Sequence, residues 1–285
     1  MFETQFKLER EREFGDILNA TFTFLKQNFK PIIKALLFYV VPAALLMGIF
    51  TGISQISVSS TLYNPSEMRN PLDVFNIYLL FAYVLMFLAY SLVFGVILEY
   101  IKLYKIHNGP NFDFAQIGKE VLKDLRIILW SNFLIGLLSG LASLLLLIPG
   151  IYLGICFLLL LPIRIIEGKS FSDAMNRCFY LIKNNWWKTF LIFFVVSILV
   201  SMMGQVFNLP SAIYQFIIGI HLGTSGNFEI NNTIVILFAI FASIGSLLLY
   251  SILSISLTLQ YFNLVEQKES PDLLNQLETI GENEA

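Results

Sequence analysis

Charged residues are scarce in this chain, and their scarcity excludes an ordinary soluble domain. Only 13% of the 285 residues are charged and 56% are apolar, whereas a soluble domain averages about 25% charged and about 45–50% apolar residues. The mean hydropathy is +0.73. These shifts together indicate an integral membrane protein.

Residues that build metal and catalytic sites are equally few. The two histidines, His107 and His221, fall on opposite predicted sides of the membrane and cannot form one site. The chain has no His-Glu-x-x-His motif, no cysteine pair at metal spacing, no Gly-x-Ser-x-Gly motif and no Walker loop. These absences predict no metal, no cofactor and no catalytic residue, and hence no enzymatic activity. The alternative is an external site built on His221 and Glu229.

The chain contains only two cysteines, Cys156 and Cys178. A disulfide needs an oxidising compartment and close Cα atoms. Because Cys156 lies in an apolar run and Cys178 in a segment predicted to be cytoplasmic, two free thiols are expected.

Long apolar runs are what the sequence has in abundance. About 20 apolar residues, at 1.5 Å each, cross the roughly 30 Å hydrocarbon core of a bilayer. Six runs predict an all-α polytopic membrane bundle in residues 1–265, followed by an acidic tail in residues 266–285. The predicted spans are 32–56, 75–101, 126–148, 150–166, 187–207 and 233–262.

The positive charges are sorted along the chain. Seventeen of the 18 Lys and Arg residues lie in the N-terminal segment, the second and fourth loops and the tail, which share one side of a six-span protein. Only Arg69 lies on the other side. Positive residues in short loops stay cytoplasmic, so we expect a multi-pass protein of the bacterial cytoplasmic membrane with both termini inside.

The middles of the predicted spans lack charged residues, so no ion or proton path is expected. At the span ends, Glu99 with Lys102 and Arg164 with Glu167 are three residues apart, and this spacing predicts local ion pairs.

Three segments on the predicted cytoplasmic side have the apolar spacing of amphipathic helices. They cover residues 14–29, 114–128 and 171–186. Ser170 with Asp173 forms a start signal of the capping-box type for the third of them. Each segment leads into a span, so the pattern predicts three repeated units of one interfacial helix and two spans.

The first and third segments resemble each other at a constant offset of 157 residues. Six of fifteen aligned positions are identical, which favours an internal repeat; the alternative is that amphipathic helices before spans are generally alike. The identical pairs are Phe14 and Phe171, Asp16 and Asp173, Asn19 and Asn176, Phe22 and Phe179, Lys26 and Lys183, and Asn28 and Asn185.

Aromatic and basic residues at the predicted cytoplasmic interface indicate membrane anchoring, because tryptophan rings lie at the headgroup level and lysines favour anionic lipids. The expected partner is therefore the lipid bilayer, with anionic lipids at this face, and no nucleic acid. A membrane-protein partner or a homo-oligomer is a further possibility. The predicted anchors are Phe14, Phe22, Lys26, Trp130, Phe179, Lys183, Trp186 and Trp187.

Small residues and prolines mark predicted packing and turn positions. Gly136 and Gly140 belong to a small-residue stripe on the third span, which suits another helix of the bundle or a second copy of the chain. Pro149 and Gly150 predict a tight turn in the hairpin between spans three and four. Pro42 is a candidate kink in span one.

The tail begins with a helix start signal. Ser270, Pro271 and Asp272 have the residue types of an N-cap and a first helical turn. The tail is therefore either a short helix or a solvated segment.

One stretch, residues 149–190, combines several short motifs: Pro149-Gly150-Ile151-Tyr152, Pro162, Glu167-Gly168, Ser172-Asp173-Ala174, Leu181 and Trp186-Trp187. In these residues the chain resembles the membrane domain joined to some bacterial glycerophosphodiester phosphodiesterases, and its stand-alone relatives. The resemblance implies the six-helix fold. We do not expect the phosphodiesterase activity, because no large soluble segment exists for the catalytic barrel.

The sequence predicts a non-enzymatic membrane protein with a structural or accessory role, which organises lipids or partner proteins at the cytoplasmic face. The alternative is a transporter or permease component for a small or lipid-like substrate. A transporter needs a polar cavity near the midplane, for which Ser131, Asn132 and Gln205 are the candidate lining residues.

Overall fold

The computed structural model describes residues 6–63, 76–224 and 231–270. Three of the sequence predictions lie outside these residues: the placement of Arg69, the external pair that needs Glu229, and the tail helix after Ser270.

The described residues are almost entirely helical, and no strand occurs among them. The helices are α1 (Phe14–Gln27), α2 (Phe29–Tyr39), α3 (Val41–Tyr63), α4 (Ile77–Ile106), α5 (Phe114–Leu145), α6 (Leu147–Phe157), α7 (Leu160–Ile166), α8 (Phe171–Ile182), α9 (Trp186–Thr224) and α10 (Asn232–Glu269).

Within the part of the chain that the structure describes, six apolar stretches are long enough to cross a membrane by length and composition, which confirms the predicted all-α membrane bundle with six spans. Three of them are much longer than predicted. The third stretch includes the amphipathic segment 114–128, the fifth continues beyond residue 207, and the sixth continues beyond residue 262. The stretches are Val41–Ser59, Ile77–Ile106, Phe114–Leu145, Leu147–Ile166, Trp186–Ile220 and Asn232–Glu269.

The predicted first span, 32–56, is divided at Val40, between α2 and α3. Pro42 lies in the first turn of α3 and has no N–H to donate to the carbonyl of Phe38, so a continuous helix would lose this bond. The long apolar helix therefore begins with α3.

The hairpin between spans three and four forms, but the reversal lies at Leu146 rather than at the predicted Pro149 and Gly150. Leu146 has an extended backbone, with φ −151° and ψ 122°. Pro149 lies in the first turn of α6, where backbone N–H groups have no intrahelical acceptor. Gly150 is buried, and a Cβ at this position would overlap Ser143 of α5. The two predicted turn residues thus begin and pack α6.

The middle amphipathic segment is not a separate interfacial helix. Residues 114–128 form the first turns of α5, which continues without a break to Leu145. Only the first and third segments, α1 and α8, are separate helices that precede a span.

The chain forms two compact units. Unit 1 comprises residues 1–35, 94–198 and 251–285, and unit 2 comprises residues 36–93 and 199–250.

The C-terminal part of α10 lies at the centre of unit 1. Every residue from 251 to 264 is buried, so this segment is surrounded by protein on all sides. The hydroxyl of Thr258, within this segment, donates to the backbone carbonyl of Ser254 at 2.7 Å.

In unit 2, glycines allow two helices to approach closely. Gly48 and Gly52 of α3 face Ile240 and Ile236 of α10, and a Cβ at Gly48 would lie 2.5 Å from the Cα of Ile240. A larger residue at either glycine would separate the helices.

Candidate functional site

The helix α1 docks one face into unit 1. Ile17, Thr21 and Phe24 are buried. The ring of Phe24 packs edge to face against Tyr100 and Tyr104 of α4, with centroids 6.3 Å and 5.3 Å apart. Aromatic pairs of this geometry add to the free energy gained from burial, so this face fixes α1 on the protein.

The opposite face of α1 carries predicted anchors. Phe22 is 43% exposed, and Lys26 is exposed one turn later. Phe14, at the start of the helix, is half-buried. The start of α2 also has an exposed phenylalanine followed by an exposed lysine: Phe29, which is 53% exposed, and Lys30. This face of α1 is therefore a basic and aromatic surface.

The helix α8 docks in the same way as α1. Its buried residues are Ala174, Cys178, Leu181 and Ile182. At the offset of 157 residues, the first three of these match Ile17, Thr21 and Phe24, the buried residues of α1. The two segments thus share a docking face as well as a sequence pattern, which supports the internal repeat.

One identical pair of the repeat serves to cap the two helices. The carboxylate of Asp16 accepts from the backbone N–H of Glu13 at 3.4 Å. At the equivalent position the carboxylate of Asp173 accepts from the hydroxyl of Ser170 at 2.6 Å. Helix N-termini commonly use such bonds between the N-cap residue and the third helical residue. Capping therefore explains why both segments have an aspartate at this position.

Three further identical pairs share one face of each helix. Positions i, i+3 and i+7 of a helix lie on the same side, and here they bring together an amide, an aromatic ring and an ammonium group. We call this surface the Asn-Phe-Lys face. It consists of Asn19, Phe22 and Lys26 on α1, and of Asn176, Phe179 and Lys183 on and just after α8; all are exposed except Phe179, which is half-buried.

Arg12 anchors the segment that leads into α1. Its side chain is buried, and the guanidinium donates to the carbonyls of Leu8, at 2.8 Å, and Lys7. Burial lowers the pKa of Arg12 to about 10. The backbone N–H of Arg12 donates to Oδ1 of Asn263 at 2.7 Å, and Nζ of Lys188 donates to its carbonyl at 2.8 Å. The N-terminal segment is thus tied to both α9 and α10.

Asn263 extends this connection into the core of unit 1. Its amide donates to Oε1 of Gln260 at 3.0 Å, and the amide of Gln260 donates to the hydroxyl of Thr189 at 2.9 Å. None of these residues was predicted from the sequence. The available signal was the spacing of Ser256, Gln260 and Asn263, polar residues three or four positions apart in an apolar helix.

Arg177 ties α8 to the end of α10. Its Nε lies 3.2 Å from both carboxylate oxygens of Glu167, and its terminal nitrogens bind Glu269, with Nη2 2.8 Å from Oε2. The hydroxyl of Tyr261 donates to Glu167 at 2.9 Å. The hydrogen bonds to Glu269 and the charge of Glu167 raise the pKa of Arg177, which keeps this link charged.

The predicted ion pair between Arg164 and Glu167 is wrong, because Arg177 from α8 reaches Glu167 instead. Arg164 donates to the hydroxyl of Ser131 at 2.7 Å. Its guanidinium also lies 5.7 Å from the ring centroid of Phe171, a cation–π geometry.

The other predicted pair, Glu99 with Lys102, is confirmed at 3.1 Å and belongs to a larger cluster. Nζ of Lys102 also lies 3.5 Å from Glu120 and 3.4 Å from Asp124 of α5. One oxygen of each of the three carboxylates lies within 4.8 Å of the others, close enough to hold a metal ion, although the sequence predicts no metal site. Lys102 supplies the positive charge that these carboxylates require.

The three predicted tryptophan anchors have different surroundings. Trp130 and Trp187 are 57% and 70% exposed. Trp186 is half-buried, stacks on Tyr152 with centroids 5.8 Å apart, and donates to the Tyr152 carbonyl at 3.3 Å. Trp186 therefore packs against α6, whereas the other two present their rings outward.

Gly136 and Gly140 do not form the predicted packing within the bundle. A Cβ at either glycine would have no heavy atom of another described residue within 4 Å. The part of the stripe that does pack consists of Ser139 and Ser143 of α5 against Gly154 and Gly150 of α6.

A family model described as the membrane domain of glycerophosphoryl diester phosphodiesterase matches residues 136–283. This is slightly more than half of the 285 residues. The chain belongs to this family. Among curated proteins and among solved structures, no match to the chain was found.

The family match extends the resemblance of residues 149–190 in both directions. It includes Arg177 and Asn263, whereas α1 and its anchor Arg12 precede it. The matched region is a membrane domain, so the match establishes an integral membrane protein and carries no statement about catalysis.

Proposed function

We propose that this family member is a non-enzymatic protein of the bacterial cytoplasmic membrane, with both termini in the cytoplasm, that organises anionic lipids at the cytoplasmic face. Its lipid-binding elements are the two Asn-Phe-Lys faces of α1 and α8.

The observation that carries the proposal is where the identical residues of the repeat lie. The buried positions of α1 and α8 differ: Thr21 matches Cys178 and Phe24 matches Leu181. Outside the N-terminal cap, the identities at Phe14, Asn19, Phe22 and Lys26 and at their matches are exposed or half-exposed. The sixth pair differs, because Asn28 is buried and accepts a hydrogen bond from Tyr100. Shared packing would favour similar buried residues, so the retained amide, ring and ammonium point to a shared external contact.

The chemistry of each face suits an anionic headgroup. Lys26 and Lys183 form no ion pair with a described acidic residue. Their charges are attracted to an anionic leaflet by about 1 kcal/mol each, and the neighbouring amides of Asn19 and Asn176 donate hydrogen bonds to phosphate oxygens. The phenylalanine between them contacts acyl chains, as amphipathic membrane helices do.

The docking contacts hold the two faces in place. Arg12 ties the start of α1 to Asn263, and Arg177 ties α8 to Glu167 and Glu269. Rigid attachment of α1 and α8 to the protein reduces the conformational entropy that is lost when a lipid binds. This favours specific over transient lipid contact.

Spin-labelled lipids test the proposal. In vesicles of mixed phosphatidylcholine and phosphatidylglycerol, the wild-type protein should immobilise labelled phosphatidylglycerol preferentially. The Lys26→Gln, Lys183→Gln double variant should lose that preference, whereas Lys119→Gln, which removes an exposed lysine of α5, should retain it. Equal immobilisation of both lipids by the wild type would refute the proposal.

A transporter of a small or lipid-like substrate is the second candidate, because unit 2 contains a cavity of about 470 Å³. None of the residues expected from the sequence to line a transport cavity, Ser131, Asn132 and Gln205, borders it. Ser131 instead accepts a hydrogen bond from Arg164, and Gln205 is exposed on α9.

A further inference from the structure

The cavity of unit 2 has the size of a ligand site. Its volume of about 470 Å³ falls within the roughly 300–1,000 Å³ range of small-molecule pockets. Residues of three helices, α3, α4 and α9, line it. None of them belongs to α1 or α8, so whatever binds here is independent of the proposed anionic-lipid faces.

One side of the cavity is polar and uncharged. Thr51, Ser54, Gln55 and Ser59 lie along α3, and Gln215 contributes from α9. The α3 residues recur at three- and four-residue spacing, which places them on one side of the helix. They form a stripe of hydroxyl and amide groups in an otherwise apolar span.

The amide oxygen of Gln55 within this stripe is unsatisfied. This Oε1 atom is buried and has no hydrogen-bond partner among the described residues. A buried acceptor without a donor costs about 1–3 kcal/mol, so such groups usually bind a water or a ligand. The missing partner must be a donor, such as a hydroxyl group.

The side of the cavity formed by α4 is mainly apolar. Leu79, Ala82 and Met86 line it at helical spacing, and Tyr83 adds a ring with one hydroxyl group. A cavity with a polar stripe facing an apolar wall matches an amphiphile whose headgroup and chain lie side by side. Charged residues are absent from the described lining, and an ionised headgroup without a counter-charge would be costly there.

We propose that this cavity binds a single-chain lipid with a neutral headgroup that carries hydroxyl groups. A headgroup hydroxyl donates to Oε1 of Gln55, other hydroxyls exchange hydrogen bonds with the α3 stripe, and the first part of the acyl chain lies along the α4 wall.

The test compares two probes that differ in headgroup charge. The full-length protein is delipidated in an amine oxide detergent, which has no hydroxyl group to compete, and titrated with monoolein or with oleoyl lysophosphatidylglycerol. Bound lipid is counted by native mass spectrometry. Monoolein should bind in a saturable manner and more tightly than the charged lipid of the same chain length.

Variants assign the binding to the cavity. Gln55→Leu preserves the approximate volume but removes the acceptor, and should weaken monoolein binding roughly fivefold, the effect of one net hydrogen bond. Ala82→Leu fills the apolar side and should weaken binding while Gln55 remains. Gln205→Leu, at an exposed position of α9 outside the cavity, is the matched control and should bind as the wild type does.

Three results would overturn the assignment: no saturable monoolein binding, equal binding of the charged lipid, or unchanged binding in both Gln55→Leu and Ala82→Leu. Thermal unfolding of each variant in the same detergent separates lost binding from lost folding. Failure here would leave the lipid preference of α1 and α8 unaffected, since those helices contribute nothing to the cavity.

Discussion

The backbone N–H of Arg12 donates a 2.7 Å hydrogen bond to the side chain of Asn263, 251 residues later in the chain. This bond joins the segment before α1 to the buried part of α10. It also places the same amide in the chain of hydrogen bonds through Gln260 to Thr189.

Replacing Asn263 by alanine should lower the stability of the protein. The substitution leaves the backbone N–H of Arg12 and the side-chain oxygen Oε1 of Gln260 without these partners in a buried site, at a cost of about 1–3 kcal/mol each. Thermal unfolding in detergent measures the change. Asn19→Ala, at an exposed position of α1, is the control; equal melting temperatures for the two variants would show that the buried bond is unimportant.

The contrast between local and long-range contacts explains what could be predicted from the sequence. The six apolar helices, the pair of Glu99 with Lys102 and the docking stripes follow from spacing within one segment. Arg164 is also three residues from Glu167, yet a partner from α8 takes that carboxylate. Which arginine pairs with Glu167 depends on tertiary packing, and the spacing of residues within one segment does not determine it.

The repeat was visible in the sequence as six identities, but their meaning was not. All three residues Asp16, Asn19 and Lys26 are exposed, but only Asp16 has a role in the helix cap, where it accepts a hydrogen bond from the N–H of Glu13. The apolar run that predicts the first span does not predict the cavity of unit 2, although it contains the polar residues Thr51, Ser54 and Gln55. Their shared helical face was the signal that identifies them.

Cys178 should resist thiol reagents in the folded protein. It is a free thiol, fully buried in the docking face of α8, and burial raises its pKa. Because a raised pKa keeps the neutral thiol at pH 8 and maleimides react with thiolates, labelling should be slow until the protein is denatured.

A Cys156→Ala background makes the labelling specific to Cys178. Tyr180→Cys in a background without the native cysteines supplies the exposed control, since Tyr180 is 46% exposed. Rapid labelling of native Cys178, at the rate of the control, would contradict the docking of α8.

Replacing Phe179 or its neighbour Tyr180 in α8 by aspartate should reduce the amount of protein in the membrane to different extents. Phe179 is half-buried and its ring centroid lies 5.9 Å from that of Phe157, whereas Tyr180 is 46% exposed. Phe179→Asp should therefore reduce accumulation in the membrane more than Tyr180→Asp, as measured by immunoblotting of membrane fractions. Equal losses would contradict the placement of α8, in which Phe179 packs against Phe157 and Tyr180 is exposed.

Reporter fusions test the proposed orientation in the membrane. The sorting of 17 of 18 basic residues to one side predicts that a periplasmic reporter is inactive after Ala285 and active when inserted near Ser225. The reverse pattern would place both Asn-Phe-Lys faces on the wrong side for a cytoplasmic leaflet.

The most direct measurement of the central claim is the anionic lipid that copurifies with the protein in mild detergent, counted by mass spectrometry. Wild type is compared with Lys26→Gln, Lys183→Gln, the double variant and the Lys119→Gln control. If α1 and α8 present two equivalent faces, each single variant loses about half of the tightly bound anionic lipid, the double variant loses nearly all of it, and the control loses none. Equal anionic lipid in wild type and double variant would contradict the account.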